Sequence, residues 1–197
     1  MSFIYHVLYR LRLAPWEEAD PVAPLIDLIE GEDALTPGRV LDVGCGSGKD
    51  AVYCARNGWQ VTAVDDVALA LARGRARAAA ARVDVRFERA DISRTDARQI
   101  GDGYSLVLDL GCLHNLNRAR RDAAGRLITQ VALPGATLLM LAFAPGGPKP
   151  GPVGIDEADV KAMFPAWDVV LSAPADTLAL KGRMAKAKPY FHRLVKR

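Results

Sequence analysis

The residues in this chain most capable of chemistry are three acids and three glycines set at the ends of apolar runs. In LDVGCGSGKD, residues 41–50, Asp42 precedes glycines at 44, 46 and 48. Asp65 closes the next apolar run, WQVTAVD, and Asp91 the one after it, VDVRFERAD. Glycine has no Cβ and reaches positive φ freely, so such a turn lets backbone approach a ligand closely. A carboxylate about 20 residues beyond a glycine turn is where nucleoside-binding sheets accept hydrogen bonds from ribose hydroxyls. Each acid alone could be a turn or helix cap. Three at successive strand ends point to a nucleoside-bearing ligand.

The spacing rules out two common nucleotide motifs. A phosphate-binding loop needs glycine five positions before its Gly-Lys pair and a hydroxyl residue after it. Around Gly48-Lys49 those places hold Val43 and Asp50. The dinucleotide fingerprint puts its third glycine where this chain has Lys49. The order found, an acid followed by G-x-G-x-G, resembles the first motif of class I S-adenosylmethionine-dependent methyltransferases. That resemblance is clearest over residues 39–143. It implies S-adenosylmethionine as cofactor, with Asp42, Gly44, Cys45, Gly46 and Gly48 at its methionine end and Asp65 at its ribose. Asp91 is implied at the adenine amino group. Relatives often carry an apolar residue after the ribose acid, and this chain has Asp66. Asp66 is read as standing beside the cofactor and capping a helix that begins at Val67, which leaves the adenine face to Ile92.

Those residues need a scaffold, and the hydrophobic pattern supplies one. From Arg39 onward, short apolar runs alternate with helical stretches: RVLDV, KDAVYCARNG, WQVTAVD, VALALARGRARAAAA, VDVRFERAD. This is the rhythm of a parallel sheet covered on both faces. YSLVLDLG, a helix near residues 118–132 and ATLLMLAFA continue it, with Pro134-Gly135 as the helix stop. APGGPKPGPVG, residues 144–154, reads as a loop, followed by a helix near 156–164 and the strands WDVVLSA and PYFHRLVKR. The expected fold is a single α/β domain over 1–197, comprising an amino-terminal helical cap or lid (1–36) and a Rossmann-like core (37–197). The resemblance implies a doubly wound, mostly parallel seven-stranded sheet with its last strand antiparallel.

In a doubly wound sheet the ligand lies outside the carboxyl ends of the strands at the switch point. That puts DLGCLHNL, after the fourth strand, beside the sulfonium, with Asp109 near the cofactor and Cys112 and His114 near the methyl acceptor. His114 has the intrinsic pKa of a general base, although a histidine here could also simply pack. Phe3, Val7 and Leu11 recur at helical spacing, so the amino-terminal stretch forms an amphipathic helix. The Trp16 segment that follows resembles the entry segment of small-molecule methyltransferases. Tyr5, Trp16 and Phe143, with the 144–154 loop, are read as substrate walls.

Composition narrows the partners. The chain has 197 residues, a net charge of +3 and half its residues apolar, which suits one soluble domain. Its basicity is too slight and dispersed for a dedicated nucleic-acid binder. The sequence lacks the motifs of amino-directed or cytosine-C5 base methylation. Three cysteines without metal spacing suggest reduced thiols, a cytoplasmic setting and no metal. No segment reaches membrane-spanning length. The reading is a small-molecule methyltransferase acting on a thiol, heterocyclic nitrogen or phenolic oxygen. An RNA methyltransferase and a non-catalytic cofactor-binding module are the alternatives.

Overall fold

The computed structural model describes residues 20–147, 153–175 and 188–197. The amino-terminal amphipathic stretch, with Tyr5 and Trp16, lies outside these residues, as do residues 148–152 of the loop from 144 to 154. The first described helix, α1 (Ala23–Glu30), starts at a proline-led turn and buries Leu25, Leu28 and Ile29. Then follow β1 (Arg39–Val43), α2 (Lys49–Arg56), β2 (Gln60–Asp65), α3 (Ala68–Ala81), β3 (Val85–Arg89), α4 (Ala97–Ile100) and β4 (Tyr104–Leu110). A 3-10 turn (Leu113–Asn115), α5 (Arg118–Val131), β5 (Ala132–Phe143), α6 (Glu157–Met163), β6 (Trp167–Pro174) and β7 (Pro189–Lys196) complete the chain.

The strands form one seven-stranded sheet in the order 3-2-1-4-5-7-6. Pairs from β3 to β5 are parallel, and β7 runs antiparallel to both β5 and β6. The central strands are buried on both faces, which explains why β1 and β4 read as continuous apolar runs. One core gathers Leu25, Val52 and Leu71 from α1–α3, and the other gathers Ile100, Ile128 and Val160 from α4–α6. This doubly wound arrangement has β1 between β2 and β4, so the switch point lies at the carboxyl ends of β1 and β4.

Two local expectations change. Pro134-Gly135 does not precede β5 but lies within it. The pairing steps from Tyr104↔Ala132 to Leu106↔Thr137, so the intervening residues bulge outward, with Gly135 at φ 75°. Proline is tolerated there because a bulged residue owes the ladder no hydrogen bond. Asp66 is not the N-cap residue of the next helix: that helix starts at Ala68, its N-cap residue is Val67, and the Val67 N–H is taken by Asp65 Oδ1 at 2.8 Å.

Candidate active site

The turn after β1 is built by three glycines with different duties. Gly44 and Cys45 both donate to the Val64 carbonyl, at 2.8 and 3.1 Å, which folds the turn back over β2. Gly44 lies at φ +70°, and a Cβ on it would sit 2.5 Å from Cys112 Cβ and 2.8 Å from its Sγ. Only glycine lets this turn press against the segment after β4. Gly46 presents its N–H to Asp65 Oδ2 at 3.0 Å. At Gly48 (φ +68°) a Cβ would meet the Phe87 ring at 2.7 Å, and Gly74 of α3 abuts the same ring. Gly48 therefore lets α2 start close to β3. Its duty is packing.

Burial sets the electrostatics. Asp42 is 3% exposed and Asp109 fully buried, and Oδ2 of each lacks a hydrogen-bond partner. Burial pushes the Asp42 carboxyl well above its ordinary range, reinforced by Asp50, Asp65 and Asp109, with Lys49 partly offsetting them. Lys49 Nζ is itself held by Asp50 (3.0 Å) and the Asp20 carbonyl (3.1 Å). Burial raises Asp65 to about 6 against the N–H bonds of Val67 and Gly46. Asp109 rises to about 7, also by burial, although its Oδ1 accepts from Cys112 and Leu113 N–H at 2.8 and 3.1 Å. Asp109 thus caps the 3-10 turn that carries Cys112 and His114. Burial also pushes the Cys45 and Cys112 thiols up, which keeps them protonated. Buried carboxyls with unsatisfied oxygens beside open glycine backbone suit a ligand that brings positive charge and hydrogen-bond donors.

Gly44, Asp65, Asp66, Asp91, Ile92 and Cys112 line one cleft together with Leu116 and Arg120. Asp91 lies two residues past β3. Its Oδ1 accepts from Ser93 N–H (3.0 Å) and Oγ–H (2.6 Å), and its Oδ2 accepts from Arg120 Nη2 (2.6 Å). Burial would raise Asp91, but the Ser93 and Arg120 bonds outweigh it and hold the carboxyl at about 2. Arg120 carries no motif in the sequence. Its placement follows from the Asn117 cap of α5, whose side chain accepts the Arg120 N–H at 3.1 Å.

Neither His114 nor Phe143 lines that cleft. His114 is 3% exposed, its ring stands edge-on to Phe143 with centroids 5.0 Å apart, and its Nδ1 has no hydrogen-bond partner. Burial lowers its pKa to about 4, against a backbone bond to Leu141. Beneath it, the buried Arg121 guanidinium donates to the carbonyls of Leu113 (3.2 Å), His114 (3.2 Å) and Gly154 (2.5 Å). The Gly154 N–H also donates to the His114 carbonyl at 3.2 Å. Arg121, likewise without a motif in the sequence, thereby fastens the turn after β4 to the returning end of the loop after β5 at Gly154.

Comparison with known proteins bears on this geometry. A family model described as a methyltransferase domain matches residues 40–135. The 2-heptyl-1-hydroxyquinolin-4(1H)-one methyltransferase of Mycobacteroides abscessus is 30% identical over 168 residues, spanning 82% of this chain and 71% of that relative. Among solved structures, a protein described as converting a disulfide bond into a thioacetal group during echinomycin biosynthesis superposes with a TM-score of 0.78 at 22% identity, over 100% of this chain and 93% of the other. The 1,6-didemethyltoxoflavin-N1-methyltransferase of Burkholderia thailandensis, solved with 1,6-didemethyltoxoflavin and S-adenosylhomocysteine, superposes with a TM-score of 0.75 at 21% identity, over 98% and 85% of the two chains.

Proposed function

The chain belongs to the class I S-adenosylmethionine-dependent methyltransferases, and from that premise we propose that it methylates a small, planar acceptor through an acidic heteroatom. The observation that carries this reading is one cleft lined by Gly44, Asp65, Asp91 and Cys112, with the buried Asp42 carboxyl close enough to Asp65 to feel its charge. When bound, S-adenosylmethionine supplies an electrophilic methyl group on a sulfonium. The Gly44–Gly48 turn and Asp42 would hold the methionine end, Asp65 with Asp66 the ribose, and Asp91 with Ile92 the adenine end. The unsatisfied Asp42 oxygen and the open glycine backbone fit such a cationic group.

On the acceptor side this reading places the Asp109-capped turn with His114 and Phe143, tied by Arg121 to Gly154. Methyl transfer from a sulfonium is an in-line displacement, so alignment and exclusion of water supply much of the rate. At neutral pH the His114 imidazole is uncharged and able to accept a proton. A base with a pKa of about 4 takes protons efficiently only from groups that are themselves acidic. Phenolic, enolic and N-hydroxy oxygens meet that condition better than amines or alcohols. The hydroxyquinolone named for the Mycobacteroides relative is an acceptor of this kind.

The test compares a phenolic or N-hydroxy acceptor with a thiol in wild type and His114→Ala. Selective slowing of the oxygen acceptor, about 10²-fold or more, is expected of a lost general base. Equal slowing of both acceptors would assign His114 to packing alone.

A further inference from the structure

We infer that Arg120 is the residue that meets the adenine face of the cofactor, and that Asp91 acts by holding Arg120 in place. This rests on the cofactor reading above. Both oxygens of Asp91 are already engaged: Oδ1 by the N–H and Oγ–H of Ser93, Oδ2 by Arg120 Nη2 at 2.6 Å. Arg94 Nε adds a weaker contact to Oδ2 at 3.8 Å. Arg120 Nε, in turn, donates to Ser93 Oγ at 2.9 Å. The guanidinium is thus gripped along one edge by two neighbouring residues, which fixes its plane and leaves its faces unbonded by these contacts.

A guanidinium held by its edge stacks well on an electron-rich ring, and purines provide one. Arg120 lines the same cleft as Ile92 and Leu116, which are 5% and 4% exposed. Beside the carboxylates of Asp65, Asp66 and Asp91, the cleft therefore offers apolar walls and one flat cation, a pairing that suits an uncharged purine. The Ser93 and Arg120 bonds outweigh burial and hold the Asp91 carboxyl at about 2, so it stays ionised and keeps its grip on the arginine.

The test is titration calorimetry with S-adenosylhomocysteine on wild type, Arg120→Met, Arg120→Lys, Asp91→Asn and the Arg120→Met/Asp91→Asn pair, with melting curves to verify folding. Arg120→Met should weaken binding about threefold to thirtyfold, the range of cation–π contacts from exposed to desolvated, and lysine should not restore it. Because Asp91 works through Arg120, the double variant should bind no worse than the weaker single variant. Additive losses would mean that Asp91 contacts the adenine itself. Unchanged or tighter binding by Arg120→Met would mean that Arg120 makes no favourable contact with adenine. Either result overturns the inference, whereas failure of wild type to bind S-adenosylhomocysteine overturns the cofactor reading beneath it.

Discussion

The Asp65 carboxylate gives one oxygen to the Gly46 N–H and the other to the Val67 N–H, so it ties the glycine turn to the start of α3 while keeping a lone pair on each oxygen for a ligand. Removing it in Asp65→Ala should weaken cofactor binding by about 1–3 kcal/mol, the cost of leaving hydrogen-bonding groups unpaired. Unchanged affinity in the folded variant, by calorimetry, would contradict the ribose assignment. Burial at Asp65 and Asp109 also has a pH signature. Their folded pKa values, about 6 and about 7, lie above the ordinary 3.8, so the native state binds protons more tightly than the unfolded chain. Their contribution to stability is complete below about pH 4 and is lost as pH rises through 6 to 7. Asp109→Asn keeps the cap oxygen and should flatten that slope in denaturant titrations from pH 4 to 8, and an identical slope would contradict the burial argument. The acids and glycines were legible in the sequence because each follows an apolar run. Arg120 and Arg121 were not, since two arginines in a helix look like solvated surface until the fold shows what they grip.

Elements succeed here through close approach. α2 and α3 pack toward β3 at the Phe87 ring, where Gly48 and Gly74 meet the same edge of the ring, Cε1 and Cζ. In Gly48→Ala the new Cβ meets that ring at a left-handed φ, so a loss of at least about 1–2 kcal/mol is expected. Trimming the ring with Phe87→Leu should restore part of that loss, measured as a recovery in Tm. No recovery would place the cost in backbone conformation alone. Arg121 joins elements by a different means, through carbonyls of the 3-10 turn and of Gly154. Arg121→Met should reduce kcat while leaving S-adenosylhomocysteine affinity near wild type, because it loosens the acceptor walls and leaves the cofactor turn intact. An equal loss of cofactor affinity would show that Arg121 supports the whole site. Strand and helix alternation was readable from period and length. The Pro134-Gly135 bulge was not, because a Pro-Gly pair signals a break without saying on which side of a strand boundary it falls.

At the scale of the molecule, the sheet gathers Asp42, Asp65 and Asp109 near one switch point with their carboxyl pKa values raised by burial. A ligand carrying an ammonium and a sulfonium favours the ionised forms, so its affinity should rise with pH between about 5 and 7.5 and binding should release protons. Affinity independent of pH over that range would mean that these acids do not sense the ligand. The seven strands with an antiparallel last strand follow the resemblance carried by the glycine motif, whereas the order 3-2-1-4-5-7-6 comes from the structure, since periodicity gives strands but not their lateral order. Among the described residues no helix is long and apolar enough to cross a membrane. The claim on which the account depends is methyl transfer to a small acceptor, and the most direct test is S-adenosylhomocysteine release by the purified protein across phenols, N-hydroxy heterocycles, thiols and bulk RNA. The account predicts turnover with an acidic oxygen acceptor and none with RNA. Methylation of RNA alone, or silence toward every small acceptor in protein that binds the cofactor, would contradict it.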